Sequence, residues 1–207
     1  MQIHTFYNTD DYIKSATDAI ETVLLKVSKK QEVIRVAVSG GSSPILVYQK
    51  LRERNIPWEK VEFYLVDERM VPKDHSESNE RMIRKELLNN LPIRKFYSVE
   101  EYSGEMFDLV LLGMGLDGHT ASLFPHAKEL NEKTSLVVHT KSPLGIKDRV
   151  TLTFLSLMNS EKIIFLICGE EKKAILEKAQ QAETVVSDVP AKMIMEHNNV
   201  EIYYLKN

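Results

Sequence analysis

The 207-residue chain contains one cysteine, Cys168, so no disulfide can form within it. Set in the apolar run KIIFLIC, that thiol reads as a small buried hydrophobe. Basic runs are equally absent. The 27 Lys and Arg lie dispersed among 30 Asp and Glu, for a net charge of −3, which excludes a nucleic-acid surface and requires a local cluster of cations to hold any anionic ligand. No stretch approaches the roughly 18 uninterrupted apolar residues of a membrane span. The opening MQIHTFYNTDD has neither a positive leader nor an apolar core, so the expectation is no secretory signal and a cytoplasmic location. Repeats, low-complexity segments and linkers are missing, and the length suits a single domain over residues 1–207. Chemical signatures are missing as well. Without G-x-S-x-G a serine nucleophile has no support, and without H-E-x-x-H, with His119 and His126 too far apart for one helical face, no metal is expected.

What is present is organised around residues 107–125, FDLVLLGMGLDGHTASLFP. Phe107, Leu109, Val110, Leu111 and Leu112 form a nearly continuous apolar run, as suits a strand buried on both faces of a parallel sheet. In open parallel sheets ligands bind beyond the carboxyl ends of the strands, where Asp117 and His119 are expected to stand. Gly113, Gly115 and Gly118 satisfy the G-x-G-x-x-G spacing of a dinucleotide turn. That reading fails on context, because Pro125 cuts short any helix near Thr120 and the next strand-like run, residues 136–140, ends in His139 and Thr140 rather than an acid.

Along the chain, apolar positions at three- and four-residue steps predict a helix over residues 10–30, capped by Asp10 or Asp11. A strand over 33–38 then runs into Ser39-Gly40-Gly41-Ser42-Ser43-Pro44 and a helix over 45–54, with Pro44 at its first position and Ser43 as cap. Strand, glycine turn and helix start in that order leave backbone N–H groups free to meet phosphate. A strand over 61–66 delivers Asp67, Glu68 and Arg69 to the same edge, where Arg69 could reach that phosphate and either acid could bind hydroxyls. A helix follows over 79–90. RVTLTF, residues 149–154, alternates as a half-buried strand beginning with Arg149, and LMNSE after it reads as a short turn. A buried strand over 162–168 leads to a helix over 170–181, with Lys172 in a first turn where a cation is unfavourable unless an anion meets it. A helix near Pro190 and a strand over 200–205 close the chain.

Together SGGSSP, VDERMVPKDHSESN, GMGLDGHTASLFP, RVTLTF and GEEK resemble, in order and over almost the whole chain, the 6-phosphogluconolactonase family of the glucosamine-6-phosphate isomerase/deaminase superfamily. GLDGHTASLFP is the most specific element. The resemblance implies an α/β fold of the NagB/RpiA-like kind, with a central mostly parallel sheet flanked by helices. It also implies no required cofactor, and hydrolysis of 6-phospho-D-glucono-1,5-lactone in the pentose phosphate pathway.

The deaminase branch shares the DGH element but carries a glutamate before the proline, where this chain has Phe124, and tends to a tyrosine where this chain has Arg69. A sugar-phosphate sensor without turnover is the other alternative, although such sensors usually append a DNA-binding helix pair and no residues are left for one. The expected site comprises His119 as general base with Asp117 beside it. Ser39, Gly40, Gly41, Ser42, Asp67, Arg69, Arg149 and Lys172 are expected to bind substrate and phosphate. A histidine titrating near pH 6.5 can accept a proton at neutral pH. The expected partner is a small sugar-phosphate lactone, with neither nucleic acid nor membrane, and the expected assembly a monomer or small homo-oligomer.

Overall fold

Short runs of β-branched and leucine residues, buried on both faces, form seven parallel strands in the computed structural model, which describes residues 1–206. In chain order these are β1 (Gln2–Phe6), β2 (Ile34–Val38), β3 (Val61–Leu65), β5 (Lys95–Tyr97), β6 (Leu109–Leu112), β9 (Ile163–Cys168) and β10 (Val200–Leu205). Their spatial order is β1-β10-β9-β6-β2-β3-β5, with every pairing parallel. Helices α1 (Thr9–Ser28), α2 (Ile45–Leu51), α3 (Asn79–Glu86), α4 (Phe154–Met158), α5 (Lys173–Gln180) and α6 (Ala191–Met195) connect and cover the sheet. The core runs through the central strands, where Val36, Val38, Leu109, Leu111, Ile164 and Phe165 are all but inaccessible.

Parallel pairing fixes the geometry that matters. The adjacent strands β9, β6, β2 and β3 all end on one rim, so the segments after Cys168, Leu112, Val38 and Leu65 emerge side by side. On that rim stands a second, antiparallel sheet, ordered β4-β8-β7, made of β4 (Asp67–Arg69), β8 (Asp148–Leu152) and β7 (Val137–Lys141). Its register sets Arg69 directly opposite Arg149.

Several local expectations are corrected. Asn8, not Asp10 or Asp11, caps α1, its Oδ1 accepting from the N–H groups of those two aspartates at 2.7 and 3.2 Å. Pro44 occupies the cap of α2 without a side-chain bond, and that helix ends at Leu51. Asp67–Arg69 form a short strand of their own beyond β3, and α3 stops at Glu86 rather than Asn90. RVTLTF is not half-buried: Arg149, Thr151 and Thr153 are 8%, 0% and 0% exposed, and the threonine hydroxyls bond backbone carbonyls. The segment behind it is the short helix α4 instead of a simple turn. β1 and β5 come from stretches whose sequence predicts no strand.

Candidate active site

A cleft of about 430 Å³ opens on the rim where these segments meet. Its walls carry Ser39 to Pro44, Asp67, Arg69, His119, Arg149 and Lys172, so all but one of the expected site residues border a single cavity. Asp117 is the exception, standing behind His119.

The imidazole is held by a loop that is over-determined by hydrogen bonds. The Gly115 N–H donates to the His119 carbonyl (2.9 Å), the Thr120 hydroxyl to the Gly113 carbonyl (2.9 Å), and the Ser122 N–H to Thr151 Oγ1 (3.2 Å). These ties keep Ala121 at a φ of 49°, left-handed backbone uncommon for a residue with a Cβ and of the kind that collects at functional sites. Gly118 turns the chain at a φ of 84°. Asp117 Oδ1 accepts from His119 Nδ1 at 2.6 Å and from the His119 N–H at 3.1 Å. Burial pushes the Asp117 carboxyl up, but the bond and charge of His119 outweigh it and hold the carboxyl below its ordinary value. An ionised carboxylate can only accept, so Nδ1 carries the hydrogen and Nε2 keeps its lone pair in the neutral ring. Nε2 has no hydrogen-bond partner among the described residues. Phe124, buried, lies against the ring with centroids 4.9 Å apart.

The opposite wall gathers N–H groups and cations. Gly40, Gly41, Ser42 and Ser43 follow the end of β2 with N–H groups that bond no acceptor among the described residues. The Ser39 hydroxyl and Arg69 Nε are buried with no hydrogen-bond partner among the described residues. Arg69 Nη1 donates to the Glu77 carbonyl (2.6 Å) and Arg149 Nε to the Ile146 carbonyl (2.9 Å), which fixes both stems while leaving other guanidinium donors free. Two like charges directly opposite on paired strands destabilise the sheet. Burial, and then Arg69, push the Arg149 guanidinium down from its ordinary value, with Asp67 opposing. Burial likewise lowers Lys172, whose Nζ donates to Ser43 Oγ at 3.2 Å. Among the described residues no three His, Cys, Asp or Glu side chains gather as metal ligands would.

Asp67 and Glu68, inseparable in sequence, have different surroundings. Glu68 is consumed at the start of α3, accepting from the Ser78 hydroxyl (2.9 Å) and the N–H groups of Asn79 and Glu80 (both 2.8 Å). Asp67 borders the cleft, bonded to the Ser122 hydroxyl (2.6 Å) and the Asn79 amide, with burial raising its carboxyl. Asn79, Ser122, Phe124, Ser142, Leu144 and Gly145 also line the cleft without having been expected there. Only Phe124 was singled out in sequence. Ser122, Ser142, Leu144 and Gly145 lie in irregular segments with no period to mark them, whereas Asn79 has a signal in its place at the start of a predicted helix.

Fold and cleft together define a class: a parallel α/β protein whose rim cleft sets an imidazole on one wall and arginine, lysine and loop N–H donors on the other. The chain belongs to the family described as glucosamine-6-phosphate isomerases/6-phosphogluconolactonase, whose profile matches residues 7–105 and 97–203. It is 34% identical to a 6-phosphogluconolactonase of Helicobacter pylori (strain J99 / ATCC 700824), over all of this chain and 99% of that one. It is 38% identical to the 6-phosphogluconolactonase of Thermotoga maritima, over 79% of this chain and 82% of that one. Among solved structures, a 6-phosphogluconolactonase from Shewanella baltica superposes with a TM-score of 0.89 at 26% identity, covering 100% of this chain and 97% of that one. The Thermotoga maritima enzyme superposes with a TM-score of 0.83 at 30% identity, covering 100% and 99%. The fold is thus NagB/RpiA-like, as the sequence resemblance implied. No helix among the described residues is long and apolar enough to cross a membrane.

Proposed function

We propose that this chain hydrolyses 6-phospho-D-glucono-1,5-lactone to 6-phospho-D-gluconate in the oxidative pentose phosphate pathway, by general-base activation of water at His119. The observation that carries the mechanism is the 2.6 Å bond from His119 to Asp117 on a cleft whose other wall holds the facing Arg69 and Arg149. His119 Nε2 takes a proton from water as its oxygen attacks C1. The C1–O5 bond then breaks, its electron pair goes to O5, and the imidazolium returns the proton there. The new carboxylic acid ionises, so each turnover releases one proton. Asp117 keeps the imidazole in the basic tautomer and offsets its charge while it is protonated.

The phosphate is gripped by Ser39, the N–H groups of Gly40, Gly41 and Ser42, and the charges of Arg69, Arg149 and Lys172. A phosphate dianion between the arginines turns their repulsion into attraction. Asp67 faces the sugar rather than the phosphate. The reaction needs no cofactor. Residues 1–207 work as one catalytic domain in the cytoplasm, as a monomer or small homo-oligomer.

The test is proton release from freshly generated lactone, corrected for spontaneous hydrolysis. His119→Asn is expected to lower kcat by about 10²- to 10⁴-fold with KM nearly unchanged. Wild-type turnover in that variant removes the general base from the mechanism. Ammonia released from glucosamine 6-phosphate would favour the deaminase branch, against which stands the apolar Phe124 beside His119. Tight 6-phosphogluconate binding without lactone turnover would favour a sensor.

A further inference from the structure

Among the donors that line the cleft, one side chain presents an acceptor oxygen. Asn79 opens α3, is 3% exposed, and directs its amide nitrogen to the Asp67 carbonyl at 2.9 Å and to Asp67 Oδ1 at 3.3 Å. A carbonyl can only accept, so the NH2 group must face Asp67 and the amide oxygen must face the other way. That oxygen lies across Gly40, where any Cβ would overlap it, so glycine at this place in the phosphate loop admits the amide to the cleft. Asn79 Oδ1 receives no donor from the described residues, and both of Asn79's amide hydrogens are turned toward Asp67.

An acceptor oxygen beside a buried carboxyl repels phosphate and suits a hydroxyl. The neighbouring Ser39 hydroxyl, loop N–H groups and arginines suit phosphate and not a second acceptor. The division matches a molecule with phosphate at one end and hydroxyls along the rest. We propose that Asn79 is a specificity-determining residue whose Oδ1 accepts a hydrogen bond from a ring hydroxyl of the phosphorylated lactone, with Asp67 holding the amide in orientation. This deepens the lactonase reading and rests on it.

The experiment is a cycle between residue and substrate. Wild type and Asn79→Ala are assayed with the parent lactone and its 2-, 3- and 4-deoxy counterparts, each made fresh and corrected for spontaneous hydrolysis. In the wild type, one deoxy lactone is expected to lose about ten-fold in kcat/KM, and Asn79→Ala to lose a similar factor on the parent. In Asn79→Ala that same deoxy lactone then loses nothing further, while the other two keep their wild-type ratios to the parent. A merely structural asparagine would lower all four substrates together, so losses that multiply for every deoxy lactone overturn the proposal. Should the alanine variant lack a cooperative melting transition, Asn79→Ser, which retains a helix-compatible polar residue, is carried through the same cycle. A wild type that fails to turn over the parent lactone overturns the activity itself, a result distinct from multiplying losses.

Discussion

At Gly115 a hydrogen atom stands where any other residue would drive a Cβ into the His119 ring and within 2.8 Å of Asp117 Oδ1. The glycine is therefore part of how the imidazole and carboxylate come together, although it touches no substrate. Gly115→Ala is expected to displace that pair and lower kcat by about 10²-fold, within the range for losing a positioned base. KM should change little, because the phosphate grip we propose lies on the other wall. Steady-state proton release measures both constants, and an unchanged kcat would mean that the loop absorbs the methyl group without moving the ring. In sequence, Gly115 was one of three glycines fitting a dinucleotide spacing. Its packing against His119 is a tertiary fact that no spacing encodes. His119 itself was legible, because a histidine just after a strand-ending glycine turn can hardly avoid the ligand-binding rim.

The element that brings Asn79 to the cleft is α3, eight residues long and held at its start by a carboxylate from β4. Glu68 accepts from Ser78, Asn79 and Glu80, meeting N–H groups that no helix can satisfy internally and placing negative charge at the positive end of the helix. Glu68→Gln keeps the shape but removes the charge and part of the accepting capacity. It is expected to cost about 1 to 2 kcal/mol of stability, read from the urea midpoint, and to raise KM through Asn79. A variant as stable as wild type would reduce Glu68 to a solvated surface acid.

The helix itself was visible in the sequence, since Ile83 and Leu87 lie on one face and both are buried. Its capping partner was not, because ten or more residues separate Glu68 from the groups it binds. The elements that escaped notice share a physical reason. β5 has three residues, too few to show alternation, and β1 is an edge strand whose mixed polarity reflects one solvated side. β8 misled in the opposite direction. Its alternation is real, but both faces are covered, and its threonines are tolerated inside because their hydroxyls reach carbonyls.

For the whole molecule, a net charge of −3 offers an anionic substrate no general attraction, so binding must come from cations gathered by the fold. They come from three separate places in the chain: Arg69 in β4, Arg149 in β8, and Lys172 in the turn after β9. Parallel order brings the ends of β2, β3 and β9 to one rim, and antiparallel register on that rim sets the arginines face to face. Without an anion the facing arginines repel each other, and with one bound between them it ties segments about 80 residues apart in sequence, so binding and global stability must rise together.

Inorganic phosphate, carrying the charge without the sugar, isolates this effect. At a concentration of about 100 times its Kd, mass action adds about 2.7 kcal/mol to stability. For a domain of this size that is a rise in Tm of about 5 to 10 °C. Arg149→Ala should lose most of the phosphate-dependent rise and raise KM for the lactone by about 10- to 100-fold, the value of a charge-assisted hydrogen bond. Its own Tm without phosphate should stay near that of the wild type, since removing one of two facing cations relieves repulsion while it deletes packing. Differential scanning fluorimetry across a phosphate series checks both parts. An equal phosphate shift in wild type and Arg149→Ala would mean that the anion is held elsewhere.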